Sequence, residues 1–209
     1  MSDPNWLLWG RELAAIAQTG LVYAADPFDR ERYRRVQAIA ARMLAEGAGA
    51  ESGAVAAWLA AERGYATPKV GVRGAVFRDD GAILLVREVS DGRWALPGGW
   101  AEVNAAPAES VAREVREESG FAVVPRKLAA VFDRAGPPAP GGWPFHIYRL
   151  FFLCDIVGGA ATPSDETSEV RFFGEHEIPD DLSANRSSHY HIARMFAHYR
   201  DPALPTEFD

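Results

Sequence analysis

Residues 98–121 read GGWAEVNAAPAESVAREVREESGF, a glycine-led loop that runs into a short helix loaded with carboxylates. Each residue of an α-helix advances by about 100°, so with Glu114 at 0°, Glu117 falls near ~300° and Glu118 near ~40°. Glu114, Glu117 and Glu118 therefore share one face. Ala108, Val111, Ala112 and Val115 fall between roughly 60° and 160° on the same wheel, an apolar strip suited to a core. Like charges four residues apart destabilise a helix by about 0.2–0.5 kcal/mol, and Arg113, four before Glu117, offsets only part of that. Two readings are open at this point: a solvated acidic face, or carboxylates gathered for a divalent cation. Oxygen-only ligands favour a hard ion, and magnesium held by few carboxylates, water and substrate phosphates suits the second.

The surrounding chain has 209 residues, room for one large domain or a domain with an appendage. With 48% hydrophobic residues it can bury a core, and its apolar runs are too short to span a bilayer. The opening MSDPN lacks a basic segment and an apolar signal run, so a cytoplasmic protein without a membrane partner is expected. The formal charge of −7 argues against a nucleic-acid surface. Cys154 is the lone cysteine and sits in the apolar run LFFLC, which marks a buried structural thiol.

Residues 1–64 read as a small all-helical domain. Trp6, Trp9, Leu13 and Ile16 repeat at spacings of three and four, with Gly20 as the expected stop. Asp26-Pro27 opens a second helix that runs to Gly47, and Ser52 is the expected cap of a third. Eight acidic residues stand against seven arginines over residues 1–68, so the cluster Arg30, Arg32, Arg34, Arg35 does not make the unit basic. Its apolar stripes call for a docking surface, on the main domain or on a second subunit.

Residues 65–69 read as a linker, and 70–209 as the main domain. VGVRGAVF and AILLVRE flank the turn Arg78-Asp79-Asp80-Gly81, a hairpin signal. Further strands are expected at Ala122–Val124, Lys127–Asp133, HIYRLFFLCDI and Glu169–Phe173. The Pro/Gly stretch at 137–144 is a loop or a lid, and Asn185–Tyr199 a closing helix. His189 and His191, two apart, point to different sides of that helix, so a surface role is expected for both.

The string Gly99, Arg113-Glu114-Val115, Glu117-Glu118, Gly120-Phe121 closely resembles the box of the Nudix hydrolase family: Gly, five residues, Glu, seven residues, Arg-Glu-aliphatic-x-Glu-Glu-x-Gly-aliphatic. One departure is clear, since the first Glu of the pattern falls on Ala105, preceded by Asn104 where Gly is usual. The helical N-terminus, VRGAVF, ILLVRE, DGRWALPGGW and ETSEVRFF are similar to the subgroup that cleaves nucleoside diphosphates linked to another moiety, including ADP-ribose and CDP-choline pyrophosphatases. The resemblance implies an α/β/α sandwich with a mixed sheet, a homodimer formed through the helical domain, and magnesium or manganese as the cofactor. It also implies that Glu114, Glu117, Glu118 and the Gly98 carbonyl bind metal.

On this reading the substrate is a small-molecule diphosphate whose charge must be neutralised before water can attack phosphorus. Glu114, Glu166 and Glu169 are the candidate bases, and Arg113 orients Glu117 and the box loop. Glu102 is the nearest acid to the gap at 105 and is expected to face the cluster. Arg73 and Arg87 are candidate phosphate contacts, and Trp100, Trp143 and Phe145 candidate stacking partners for a base. Two rivals stand beside the hydrolase: a nucleotide-sugar-binding module that has lost catalysis at Ala105, and a hydrolase of prenyl diphosphates.

Overall fold

The computed structural model describes residues 4–133 and 145–209. These divide into two compact units, one running through Lys69 and including Phe145 and His146, the other formed by Val70–Asp133 and Ile147–Asp209. Trp143 and the rest of the 137–144 stretch lie outside the described residues.

The first unit holds helices α1 (Asn5–Tyr23), α2 (Pro27–Ala48) and α3 (Ser52–Ala61) around Leu7, Ala14, Ala40, Ala41, Leu44, Val55 and Leu59. Asp26 caps α2, its Oδ1 accepting from the Phe28 N–H at 2.7 Å, with Pro27 in the first turn. Two glycines expected to stop helices do not. Gly20 lies inside α1, where a Cβ would overlap the Tyr33 ring, and Gly47 lies inside α2 against the Trp6 indole. Both are points of close approach; α2 ends instead at Gly49, in the left-handed region at φ 61°. The cap of α3 is Glu51, whose Oε2 accepts from the Ala54 N–H at 2.7 Å, and Ser52 is the first helical residue. Leu8, Trp9, Ile16, Tyr23 and Phe28 remain exposed on α1 and α2.

The rest of the chain forms β1 (Lys69–Val76), β2 (Ile83–Glu88), β3 (Trp94–Ala95), α4 (Pro107–Ser119), β4 (Phe121–Asp133), β5 (Ile147–Gly159), β6 (Thr167–Phe173), α5 (His189–Arg200) and β7 (Glu207–Phe208). One sheet has the order β1-β5-β4-β7 and the other β3-β2-β6. The expected β1–β2 hairpin is therefore only a turn: Phe77 bridges Ile83 and the Arg78 N–H donates to the Ala82 carbonyl at 2.9 Å, after which the strands part into different sheets. The backbone of β1 is engaged elsewhere, because Val72 and Gly74 donate to the carbonyls of Gly99 and Pro97 at 2.9 and 2.8 Å. Similarly, β4 is one strand where two were expected, and a register shift beside Pro125 absorbs the residue that cannot donate.

Strand residues alternate between two cores. Ala75, Phe77, Ile83, Leu85, Phe151 and Leu153 join Ile192, Met195 and Phe196 of α5, while Val72, Val76, Leu84, Phe152 and Cys154 join Val111 and Val115 of α4. Strands β1 and β2 and the middle of β5 are apolar on both faces, and the helices cover opposite faces. This is the α/β/α sandwich with a mixed sheet. One parallel pair is β4–β7, where Ala130 is opposite Glu207, and Glu207 is bound by the Arg194 guanidinium and by His198 Nε2. No described helix is long and apolar enough to cross a membrane.

Candidate active site

The loop before α4 is laid along β1, and the Ala101 N–H completes the contact by donating to the Val70 carbonyl at 3.0 Å. Gly98 sits at φ 144°, and a Cβ there would overlap the carbonyl oxygen of Val72. Only glycine fits at this crossing. Gly98 donates its N–H to Glu118 Oε2 at 2.8 Å and accepts at its carbonyl from the Arg73 guanidinium. At Gly99 the missing side chain leaves room for the Glu114 carboxylate, whose Oε2 would lie 2.5 Å from an added Cβ.

Helix α4 starts at Pro107, where the Ala106 N–H donates to Glu109 Oε2 at 2.9 Å, and closes on Gly120 at φ 78°. Because Val111 and Val115 face the core, the three carboxylates are graded: Glu118 is 4% exposed, Glu114 half-buried and Glu117 exposed. Burial pushes Glu118 up to about 8, against the pull of Arg73 and the Gly98 N–H, and Glu88 and Glu114 push it the same way as burial. Glu114 is raised mainly by burial, with Arg73 opposing and Glu117 adding to the rise.

Other expected residues have different places. Arg113 Nη1 pairs with Glu102 Oε2 at 2.8 Å, so Glu102 is tied to the helix at Arg113 and does not turn to the carboxylates. The turn that allows this has Asn104 at φ 67° and the Ala105 N–H donating to the Glu102 carbonyl at 3.3 Å. Glu169, on β6, is held by Arg87 Nη1 at 2.6 Å, while Arg87 Nε donates to the Gly92 carbonyl at 2.8 Å. Both side chains are committed to each other. Glu166 lies on the exposed turn before β6, and its charge acts on Glu114 and on Glu88. That turn is tied to α4 through Thr167, whose hydroxyl donates to the Glu118 carbonyl at 2.6 Å.

Arg73, expected at a phosphate, is 7% exposed and donates to the carbonyls of Leu96 and Gly98. Trp100 is exposed, with its backbone bridged to Gly71. Phe145 packs on the core of the first unit, where the Lys69 ammonium lies 5.2 Å over its ring. His191 is not a surface residue: it packs against Phe151 at 4.9 Å between ring centres and accepts at Nδ1 from the Ser188 N–H. Cys154 is buried, and burial pushes its thiol up to about 12.

The pattern alone did not single out Glu88 or Arg186. Glu88 closes the apolar run ILLVRE, is 4% exposed, and pairs with Arg186 Nε at 2.9 Å. A carboxylate ending an otherwise buried strand was the available signal. Among the described residues no three His, Cys, Asp or Glu side chains are already gathered as a metal cage. The donor set nonetheless fits a hard divalent ion. The Glu114 carboxylate fills the space left by Gly99, and Glu118 and Glu114 are partly desolvated oxygen donors, both raised by burial, with Glu114 adding to the rise of Glu118.

Comparison with known proteins agrees with this geometry. A family model described as the NUDIX domain matches residues 67–196, and one described as a UDP-X-like, N-terminal oligomerisation domain matches residues 4–59. The chain belongs to the Nudix hydrolase family. It is a pyrophosphohydrolase of that family with an N-terminal oligomerisation domain. It is 39% identical over 208 residues to a protein of Bacillus subtilis named putative ADP-ribose pyrophosphatase YjhB, covering 98% of this chain and 97% of that one. The crystal structure of a UDP-X diphosphatase superposes with a TM-score of 0.61 at 30% identity, covering both chains completely. That of an ADP-ribose pyrophosphatase from Streptococcus suis superposes with a TM-score of 0.60 at 34% identity, over 68% of this chain and all of that one.

Proposed function

We propose that the protein hydrolyses the diphosphate bond of a nucleoside diphosphate linked to a second moiety X, such as ADP-ribose, a UDP-linked sugar or CDP-choline. The products are a nucleoside monophosphate and phosphorylated X. The observation that carries this is the graded carboxylate face of α4 closed over the Gly98-Gly99 loop. Glu114, Glu117 and Glu118, with the Gly98 carbonyl, would hold magnesium or manganese, which supplies charge neutralisation of the diphosphate and acidifies a water. Glu118 and Arg73 fix the loop from two sides. Glu166 is the base: water gives its oxygen to phosphorus, the bridging P–O bond breaks, and the water proton passes to the Glu166 carboxylate. Glu166 suits this role better than Glu169, whose carboxylate Arg87 holds. Trp100, exposed beside the glycine loop, is placed to stack on the base or sugar.

We also assign the helical domain to a homodimer, through the face carrying Trp9, Ile16 and Tyr23. The division into a helical domain at 1–64, a linker at 65–69 and a catalytic domain at 70–209 belongs to the same reading. A panel of ADP-ribose, UDP-glucose, CDP-choline and a prenyl diphosphate, assayed with Mg2+ and with Mn2+, tests the activity. Turnover of a nucleotide-linked substrate that chelator abolishes is expected. A folded sample idle on all nucleotide-linked substrates with both metals would refute the proposal, and turnover of the prenyl diphosphate alone would reassign it.

A further inference from the structure

Arg73 is an arginine inside a buried strand, and burial works against its charge. Two backbone carbonyls, of Leu96 and Gly98, take hydrogen bonds from Nη1, yet Nε has no hydrogen-bond partner among the described residues. Hydrogen bonding alone therefore does not explain a guanidinium here. Charge does: the carboxylates of Glu118, Glu88 and Glu114 all act on Arg73 in the sense that keeps it ionised. Glu88 has a second partner in Arg186. Glu118 has the Gly98 N–H as its hydrogen-bond donor and Arg73 as the cation acting on it. Residue 98 also crosses directly over this position, since an added Cβ would lie 2.9 Å from Arg73 Cα.

We propose that Arg73 is a positioning residue, the resident counter-ion of the carboxylate site, which keeps Glu118 and the Gly98 carbonyl in place while no divalent ion is bound. The inference rests on the metal reading of Glu114, Glu117 and Glu118. Arg73 then shares its task with the ion: each supplies positive charge to the same carboxylates, and the loss of one is felt most when the other is missing. A residue that merely filled space would be missed equally in both states.

The test is thermal unfolding of the full chain in chelator and in Mn2+. Arg73→Met is expected to lower the midpoint by about 10 °C in chelator, as for one partner removed from a buried charge cluster. Mn2+ is expected to recover at least half of the loss. Arg73→Lys, which keeps the charge without the fork, should unfold near the wild type. Adding Glu88→Gln to Arg73→Met should restore part of the midpoint, because one uncompensated carboxylate is gone. Equal losses with and without Mn2+, or a double variant no more stable than Arg73→Met, overturn the proposal. If Arg73→Met does not fold, Arg73→Lys decides: near-wild-type unfolding supports the role, and a variant as damaged as Met refutes it. A wild type that Mn2+ does not shift at all counts against the metal site, and the Glu88→Gln arm still judges Arg73.

Discussion

Glu118 and Arg73 grip the same residue from opposite sides: one accepts the N–H of Gly98 and the other donates to its carbonyl. An acid at the end of α4 and a base in the middle of β1 thus fix a loop that neither belongs to. The two glycines of that loop should then fail differently. Gly98→Ala meets backbone at Val72 and a φ that L residues avoid, so about 1–3 kcal/mol or more of stability should be lost. Gly99→Ala meets only the end of the flexible Glu114 side chain, so unfolding should change little while the metal-dependent rate falls steeply. Paired denaturation curves and rates separate the cases, and a stable, inactive Gly98→Ala would contradict the crossing.

The two acids near β6 should part as well. Glu166→Gln is expected to lower kcat by about 10²–10⁴-fold with Mn2+ affinity nearly unchanged. Glu169→Gln removes a half-exposed ion pair with Arg87 and should cost about 0–1 kcal/mol, with most of the activity kept. Steady-state kinetics on both variants reverses the assignment if Glu169→Gln is the slow one.

Acid stability should depend on His191. Burial of this α5 residue against Phe132 and Phe151, helped by Arg149, pushes the imidazole down to about 4 from its ordinary 6.5. The folded pKa is the lower one, so below about 6.5 the unfolded chain binds the extra proton. Stability from this group is complete above that pH and is lost as the pH falls toward 4. His191→Gln, which can still accept from the Ser188 N–H, should show a smaller drop in unfolding midpoint between pH 6.5 and 4 than the wild type. Parallel curves would remove His191 from the account.

Three residues before the gap at Ala105, Glu102 pairs with Arg113. Glu102→Ala frees Arg113 Nη1 and the turn at Asn104, and should reduce kcat/KM several-fold with little change in stability, as expected for an exposed pair. Ala105→Glu introduced into that variant should return part of the rate. No gain from the second substitution would show that Arg113 does not need a carboxylate from the loop.

Much of this was legible beforehand because it is local. The carboxylate face of α4, its valine strip and its closing Gly120 follow from residue spacing, and the unbroken apolar strands announce two covered faces. What failed is non-local or degenerate. Gly20 and Gly47 look like helix stops, but their lack of Cβ serves Tyr33 and Trp6, residues far along the chain. The turn at Asp79-Asp80-Gly81 signals a hairpin correctly at its tip, and only the Gly98-Gly99 loop on β1 reveals why the strands separate. Arg73 read as a phosphate contact because nothing in VGVRGAVF says that the strand buries it beneath the glycine loop.

The two-residue strand β7 is the last of its sheet, beside β4. It covers β4 with Phe208 left exposed, and it is held by Glu207 with Arg194 and His198 and by the Thr206 hydroxyl, which donates to the Leu128 carbonyl at 2.7 Å. The ionic part of that hold weakens in salt. Once loosened, β4 would offer unpaired backbone groups at Ala130 and Val131 to an extended chain nearby, so light scattering is expected to rise with added salt.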